Sequence, residues 1–240
     1  MSNKFLTSLF TLLIFAIAPF WVHAIENLEA SFDDENFYID EELQHANYNR
    51  SKRYKVYSSK EMQFVWFRVY KVASTTLLDF FGKEVPDLTK SRPEKGIPKK
   101  FMKYFKFAFV RNPWDRIVSC YFQKIVTKKY PLFQACFDKD FEFFIDYINR
   151  LDVSKANAHI RLQTKLIPVH LCDFIGTLDH FEDDLKYITD VIGIEMPLLS
   201  CKNKSEHAHY STYYNERTRQ IIAEKYKEDI DAFGFTFETK

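Results

Sequence analysis

Lys71 and the three consecutive hydroxyl residues 74–76 are the first side chains in the sequence whose types and spacing suggest chemistry. They follow a continuous apolar run that begins at Phe64, which predicts a strand buried on both faces. They precede apolar residues at 77–81, which suit one side of a helix. A strand that turns directly into a helix leaves the first N–H groups of the helix unpaired, and such groups favour an anion. The stretch therefore predicts a cradle for a phosphate or sulfate ester. The alternative is a strand followed by an ordinary Ser or Thr N-cap.

Two common classes of nucleotide loop are excluded by the glycine content. The glycines of the G-x-x-x-x-G-K-[ST] loop are absent, and the 240 residues contain only 5 Gly and no G-x-G-x-x-G. The formal net charge of +1 lacks the strongly basic balance of a typical nucleic-acid binder, so no nucleic-acid partner is expected. Anion binding must therefore come from the local placement of a few cations.

A second strand-to-helix unit repeats the pattern further along the chain. The apolar residues 105–110 predict another buried strand, which ends at Arg111. Asn112 suits an N-cap and Pro113 the first helical position, while Asp115 at the third position resembles a capping box. In an open α/β sheet, ligands bind beyond the carboxyl ends of the strands, where both Lys71 and Arg111 are expected. Within the helix, Arg116 and Ser119 lie three residues apart on one face.

The remaining periodicity predicts the rest of one α/β domain. Amphipathic helices are expected over about 140–150, over 182–192 ending at Gly193, and over 216–232 capped by Asn215. A short strand is expected over 171–175. Hydrophobic residues make up 46% of the chain, which is enough for a sizeable core.

The N-terminal residues indicate a secretory address. An uncharged run over 5–25 is long enough to span a bilayer, and Lys4 at its N-terminal end predicts a cytoplasmic N-terminus. Residues 1–25 are interpreted as a signal-anchor or, because 22–24 read Val-His-Ala, as a cleaved signal peptide. Residues 26–60 are interpreted as a stem or lead-in, and 61–240 as the catalytic domain. Sequons at Asn49 and Asn203 agree with a lumenal position and a glycoprotein.

The 4 cysteines contain no C-x-x-C pair, which argues against a zinc ribbon or a thioredoxin-like site. One or two disulfides or buried free thiols are both compatible with the sequence. The cysteines are Cys120, Cys136, Cys172 and Cys201.

Four stretches, in order, resemble the Golgi carbohydrate sulfotransferases, the group that includes the chondroitin/dermatan and heparan uronyl enzymes. The first two are YKVASTTL, which is similar to the 5′-phosphosulfate loop of that family, and FVRNPWDRIVSCYF, which is similar to its 3′-phosphate motif. The others are NAHIRLQ with CDFIGTLDHFEDDL, and NKSEHAHYSTYY with YKEDIDAFGF. The likeness spans about residues 65–237. Tyr70 stands where Pro is common in the family, and Asn112 where Asp or Glu is common.

The resemblance implies a P-loop-like α/β fold with a central, mostly parallel sheet flanked by helices. It implies 3′-phosphoadenylyl sulfate (PAPS) as sulfuryl donor, a glycan acceptor that includes the proteoglycan type, and a Golgi membrane protein with one span and a lumenal catalytic domain. The secreted form is the alternative. The donor-binding residues expected on this basis are Lys71, Val72, Ala73, Ser74, Thr75, Thr76, Arg111, Ser119, Lys202 and Lys204.

The expected chemistry is in-line transfer of the sulfuryl group, by analogy with phosphoryl transfer, and it requires no metal. Lys71 is expected to stabilise the leaving phosphate, and Arg111 with Ser119 to bind the 3′-phosphate. His159 is the first candidate for the general base, with the acids of 182–184 as the fallback. Arg161 and Gln163 are candidates for contact with the acceptor. Two alternatives are a nucleotide kinase or ATPase and a non-catalytic glycan- or nucleotide-binding protein of the same fold.

Overall fold

The computed structural model describes residues 37–38, 54–91, 97–128, 130–196 and 208–239. The strands are β1 Phe37–Tyr38, β2 Val56–Ser59, β3 Phe64–Phe67, β4 Thr89–Ser91, β5 Ile97–Pro98, β6 Phe105–Val110 and β7 Phe174–Thr177. The α-helices are α1 Ser74–Glu84, α2 Pro113–Cys120, α3 Phe141–Asn149, α4 Phe181–Ile192, α5 Glu216–Lys225 and α6 Lys227–Phe233. A π-helix, Tyr121–Val126, continues α2 directly.

The central sheet has five strands in the order β4-β2-β3-β6-β7. The pairs β3–β6 and β6–β7 are parallel, whereas β2 runs antiparallel to both β3 and β4. The sheet is therefore mixed, and the predicted α/β class with flanking helices is confirmed. Because β3 and β6 are parallel neighbours, their carboxyl ends lie at one edge of the sheet, so the segments that carry Lys71 and Arg111 leave it side by side.

Burial explains why these residues form the centre of the sheet. All four residues of β3 are 0% exposed, and so are residues 107–110 of β6, which fits strands covered on both faces. A second apolar cluster joins α2, α3 and α5 through residues such as Ile117, Phe144 and Ile222. The first strand-to-helix unit belongs to the cluster around the sheet, whereas the second joins β6 in that cluster to α2 in the other.

Several elements differ from the sequence-based expectation. Strand β2 falls inside the range 26–60 that was interpreted as lead-in, and it pairs with β3 along its whole length. The strand predicted at 171–175 forms at Phe174–Thr177, after a short 3₁₀ turn at Val169–Leu171. The last predicted helix is two helices, separated at Tyr226 by a non-helical backbone. Helix α4 ends at Gly193 in a left-handed conformation, as predicted.

The predicted membrane segment and the sequons at Asn49 and Asn203 lie outside the described residues. In the ranges that the structure describes, no helix is both long and apolar enough to cross a bilayer. Cys120, Cys136 and Cys172 are buried free thiols, and Cys201 is outside the described residues. Nor do these ranges contain a group of three His, Cys, Asp or Glu side chains that could hold a metal ion.

Candidate active site

The loop between β3 and α1 holds Lys71 in an unusual backbone conformation. Lys71 has φ 73° and Ala73 has φ 55°, so two residues with side chains occupy the left-handed region. Each costs about 1–2 kcal/mol relative to an ordinary conformation. Such strain persists only where the surroundings hold it, and it is concentrated at functional sites. Val72, between them, is 0% exposed and fixes the loop to the core.

The start of α1 offers N–H groups without a side-chain cap. The N-cap is Ala73, which provides no side-chain acceptor, and the first hydroxyl residue, Ser74, is already helical. The Ser or Thr N-cap considered as the alternative is therefore not formed. Ser74 and Thr76 are buried at 6% and 9% exposure, whereas Thr75 faces solvent. An uncapped helix start beside a lysine is a favourable position for an anion.

The ammonium group of Lys71 is buried and sits among other cations. Its Nζ donates to Oε1 of Gln123 at 2.5 Å, and the side chain is only 9% exposed. Burial, reinforced by the charges of Arg111, Lys124 and Arg116, lowers the pKa of Lys71 to about 7. The charged form would gain stability from an anion placed against it.

Arg111 lies directly against the lysine loop. One guanidinium nitrogen donates to the carbonyl oxygen of Lys71 at 3.0 Å, which joins the two strand-to-helix units. The same guanidinium forms a two-point ion pair with Asp115, with N···O distances of 2.6 and 2.8 Å. The predicted capping box at Asp115 was therefore wrong, because its carboxylate binds Arg111, while Asn112 alone caps α2 by accepting from the Trp114 N–H. The guanidinium carries more N–H donors than these three contacts use.

A buried amide and a buried carboxylate fix the backbone of Arg111. Oε1 of Gln163 accepts from the Arg111 N–H at 2.9 Å, and Nε2 of Gln163 donates to the Arg111 carbonyl at 2.8 Å. Asp229 on α6 in turn accepts from the N–H groups of Gln163 and Thr164 at 2.8 and 3.0 Å. Gln163 and Asp229 are both 0% exposed. Gln163 thus positions the phosphate-binding candidate and does not face an acceptor, contrary to the expectation.

Arg116 is a structural cation beneath the site. It is 0% exposed and donates to the carbonyl oxygens of Tyr70, Arg161 and Ala158 at 3.2, 2.7 and 3.0 Å. It thereby ties the lysine loop to the segment that carries His159. Arg161, also expected to contact the acceptor, is 6% exposed and donates to the backbone carbonyl of Ala156 at 2.8 Å. Ser119 is 5% exposed and lies one helical turn before Gln123.

His159 lies between two aromatic rings. Its ring centroid is 4.7 Å from that of Tyr70 and 4.9 Å from that of Tyr130, both in edge-on arrangements. Its Nδ1 is buried and has no hydrogen-bond partner. Burial, and then the charges of Lys124, Lys71, Arg116 and Arg68, lower the pKa of His159 to about 3. The imidazole is therefore neutral at the pH of cellular compartments, and in the free protein it is a weaker base than an ordinary histidine.

The structure brings together Lys71, the start of α1, Arg111 and His159. Lys202 and Lys204 are outside the described residues, and the fallback acids at 182–184 form the first turn of α4. Sequence reasoning did not find Gln123 and Lys124, because nothing in the pattern predicts a π-helix after α2. Such helices occur frequently at functional sites. Asp229 and Tyr130 were also missed, because they reach the site from remote parts of the chain.

Comparisons with known proteins agree with this geometry. The model of the sulfotransferase family matches residues 51–236, which is most of the chain. A carbohydrate sulfotransferase 14 from Danio rerio is 28% identical over 185 residues, covering 63% of this chain and 49% of that protein. A human carbohydrate sulfotransferase 9 is 28% identical over 176 residues, covering 62% of this chain and 38% of that protein. No solved structure gives a significant match.

This chain thus spans about half or less of the length of those two relatives. The family match begins before the first strand of the central sheet and extends past α6, so it includes both strand-to-helix units and the residues that fix them. The chain belongs to the sulfotransferase family.

Proposed function

We propose that this protein transfers a sulfuryl group from PAPS to a hydroxyl group of a carbohydrate. The observation that carries the proposal is the contact between the two strand-to-helix units, in which Arg111 donates to the carbonyl of Lys71 at 3.0 Å. Two cations from separate motifs therefore lie close together beyond the carboxyl ends of β3 and β6, where burial, reinforced by the charge of Arg111, lowers the pKa of Lys71. A nucleotide with phosphate groups at its 3′ and 5′ ends matches a site that has one cation for each end.

The donor would be held by residues of both units. Lys71 and the loop and helix start at residues 72–76 would bind the 5′-phosphosulfate, because they offer a charge and uncapped N–H groups. Arg111 would bind the 3′-phosphate through the guanidinium N–H donors that Asp115 and the Lys71 carbonyl leave unused, and Ser119 would add its hydroxyl group. Lys202 and Lys204 are proposed as further phosphate contacts. When bound, the donor supplies an activated sulfuryl group.

Lys71 would act on the leaving group. In the free protein its Nζ donates to Gln123, whose neutral amide is a weaker partner than a phosphate oxygen. In the donor complex Lys71 would carry its full charge and stabilise the negative charge that develops on the leaving phosphate. The other residues around the donor would need only to hold the reactants in line, and the scheme uses no metal.

His159 would serve as the general base. It is neutral, its Nδ1 has no partner, and it borders the lysine loop through Tyr70. Burial, and then the surrounding cations, hold the pKa of His159 low in the free protein, and the negative charges of a bound donor would raise that pKa toward the useful range. His159 would then accept the proton of the acceptor hydroxyl as the oxygen attacks sulfur.

Titration with PAP, the product nucleotide, tests the donor site. We expect one-to-one binding in calorimetry and a loss of at least about tenfold in affinity for Lys71→Ala and for Arg111→Ala, since each removes a charge-assisted contact. Lys186→Ala, which removes an exposed lysine of α4 paired with Asp190, is the matched control. Unchanged affinity in both site variants would refute the donor site.

Labelled PAPS tests the reaction itself. The two relatives are named as carbohydrate sulfotransferases, which supports a glycan as acceptor. We expect label to appear on a carbohydrate in a glycan screen with the wild-type protein and not with Lys71→Ala. Tight glycan binding with no transfer to any acceptor would favour the alternative, a non-catalytic lumenal protein of the same fold.

The cellular position is proposed on the same basis. Residues 1–25 would anchor the chain in the Golgi membrane as a type II protein. Residues 26–60 would lead into the lumenal sulfotransferase domain and contribute its strand β2, and residues 61–240 would form the rest of that domain. The alternative is a lumenal or secreted protein released by signal cleavage. N-terminal sequencing of the mature protein separates the two, since a start at Ile25 would exclude the anchor.

A further inference from the structure

The imidazole of His159 contacts two tyrosine rings. The ring centroids of Tyr70 and Tyr130 lie 4.7 and 4.9 Å from that of His159, with interplanar angles of 61° and 82°. Edge-on pairs at this separation are attractive and favour one relative orientation of the two rings. Because His159 is only 9% exposed, these contacts form a large part of what surrounds its imidazole.

A histidine that accepts a proton in catalysis is usually oriented by a third group. A carboxylate or carbonyl oxygen accepts a hydrogen bond from one ring nitrogen, which fixes the tautomer and directs the other nitrogen toward the substrate. In the ranges that the structure describes, the imidazole of His159 makes no hydrogen bond, and its Nδ1 is buried without a partner. The orientation of this imidazole must therefore come from packing.

The Tyr130 ring is itself held by three neighbours. It packs against the buried Phe133 ring with centroids 5.5 Å apart, and the Lys124 ammonium lies 5.4 Å from its centroid. Its hydroxyl group accepts from Nδ2 of Asn157 at 3.2 Å. Oδ1 of the same Asn157 accepts from the His159 N–H at 3.0 Å. One amide side chain thus links the Tyr130 hydroxyl to the backbone that carries His159.

The Tyr70 ring is held in a similar way. Its hydroxyl group accepts from Nζ of Lys55 at 2.6 Å, and the Arg68 guanidinium lies 5.1 Å from its ring centroid. The buried Arg116 donates to the Tyr70 carbonyl at 3.2 Å and to the carbonyl of the residue before His159 at 3.0 Å. Tyr70 stands where the family commonly has Pro, which would offer no aromatic ring. This contact is therefore a feature of the chain's own sequence.

We propose that Tyr70 and Tyr130 are positioning residues for His159, and that their rings, in place of a hydrogen-bonded acid, hold the imidazole in the orientation that presents a ring nitrogen to the acceptor hydroxyl. The inference rests on the proposed function, because it explains how the proposed base is oriented. Two rings that are fixed by their own neighbours leave the imidazole few orientations, which is the preorganisation that a general base requires. The tyrosine hydroxyl groups anchor the rings and take no part in proton transfer.

Substitutions that separate the ring from the hydroxyl group test the proposal by kinetics in the full chain. We would measure transfer from labelled PAPS to the glycan that the acceptor screen identifies. Tyr70→Leu and Tyr130→Leu should each lower kcat roughly three- to tenfold, the factor expected for the loss of one edge-on ring contact. PAP affinity should change less than about threefold in these variants, which also shows that they fold.

The conservative variants and the control define the cause. Tyr70→Phe and Tyr130→Phe keep the rings and should retain kcat within about twofold. Tyr187→Leu makes the same change at an exposed position of α4 and should leave kcat unchanged.

NMR of the His159 imidazole provides a readout that does not depend on turnover. Its carbon-bound ring protons lie beside two aromatic rings, so ring currents should displace their signals from ordinary histidine values. Each Leu variant should move these signals toward the ordinary values, whereas each Phe variant should leave them nearly in place. The His159→Gln variant identifies the signals among those of the 7 histidines.

Four results would overturn the inference. The Leu variants could keep the wild-type kcat, or the Phe variants could lose as much activity as the Leu variants, which would assign the role to the hydroxyl groups. PAP affinity could fall in parallel with kcat, which would assign the tyrosines to the donor site, or the His159 signals could stay unchanged in the Leu variants. If the wild-type protein sulfates no glycan, the proposed function fails, and the NMR comparison alone then decides whether the two rings hold the imidazole.

Discussion

Replacing Lys71 by Met should make the protein more stable while it abolishes donor binding. Methionine keeps the apolar stem and most of the length of the side chain, and removes the buried ammonium group together with its hydrogen bond to Gln123. In the folded chain the pKa of Lys71 is about 7, compared with an ordinary value of 10.5. The difference corresponds to about 5 kcal/mol that the fold spends to keep this ammonium group charged.

The sign and the pH range follow from proton linkage. Between pH 7 and 10.5 the unfolded chain binds more protons at Lys71 than the folded chain, so stability rises with pH in that range. The penalty is complete below about pH 7, where it amounts to about 5 kcal/mol, and it falls to about 2 kcal/mol at pH 9. Loss of the hydrogen bond to Gln123 offsets about 1 kcal/mol of the gain.

We therefore expect Lys71→Met to raise the free energy of unfolding by about 2–4 kcal/mol at pH 6, and by about 1 kcal/mol at pH 9. Urea unfolding at both pH values measures the difference, and PAP calorimetry measures the accompanying loss of binding. Lys186→Met, on the exposed face of α4, is the control and should change stability little at either pH. Equal stability of Lys71→Met and wild type at pH 6 would contradict the reasoning, as would a gain that does not shrink at pH 9.

Four further predictions concern the site and the sheet. PAP binding at pH 8 should be accompanied by the uptake of a proton at Lys71, so the calorimetric enthalpy should depend on the ionisation enthalpy of the buffer. The affinity for PAP should fall by up to about tenfold per pH unit above pH 7. Equal binding enthalpies in two buffers would count against proton uptake. His159→Gln should lower kcat by about 10²–10⁴ while PAP affinity stays within a few-fold, and an unchanged kcat would remove His159 as the base. Gln163→Ala should reduce the preference for PAP over 5′-AMP, because it releases the backbone of Arg111. If Gln163 had a purely structural role, the binding of both nucleotides would weaken equally. Gly176→Ala should destabilise the fold by about 1–3 kcal/mol in urea unfolding, since the added methyl group would lie 2.7 Å from a ring carbon of Phe109, and a neutral effect would show that the ring can shift.

Local signals in the sequence were sufficient for the two strand-to-helix units. Strand β6 has the predicted bounds, Asn112 and Pro113 start α2 as expected, and Gly193 ends α4. In each case the signal is local, because a buried run, a helix cap or a left-handed turn is specified by a few neighbouring residues. The convergence of Lys71 and Arg111 followed from a general rule about parallel strands.

The features that were missed depend on contacts between distant residues. Asp229 reaches Gln163 across 66 positions, and nothing near either residue indicates the pairing. Strand β2 is specified by its pairing with β3 and β4, so a short polar-looking segment was interpreted as lead-in. The ion pair of Asp115 with Arg111 competes with a capping box that has the same spacing from Asn112, and only the three-dimensional arrangement decides between them.

The segment after α6 has a consequence for how the protein is made. The Asn112 side chain donates to the carbonyl of Thr236 at 2.8 Å, and the Phe237 ring packs against Trp114 with centroids 5.5 Å apart. The helix that follows Arg111 is thus held in place by residues synthesised more than a hundred positions later. A nascent chain can pair the strands of the central sheet early, yet α2 gains these contacts only after residue 237 has left the ribosome. Nonsense or frameshift lesions shortly upstream of that point should therefore yield a product whose α2 is less firmly held, even when the sheet and both strand-to-helix units are intact.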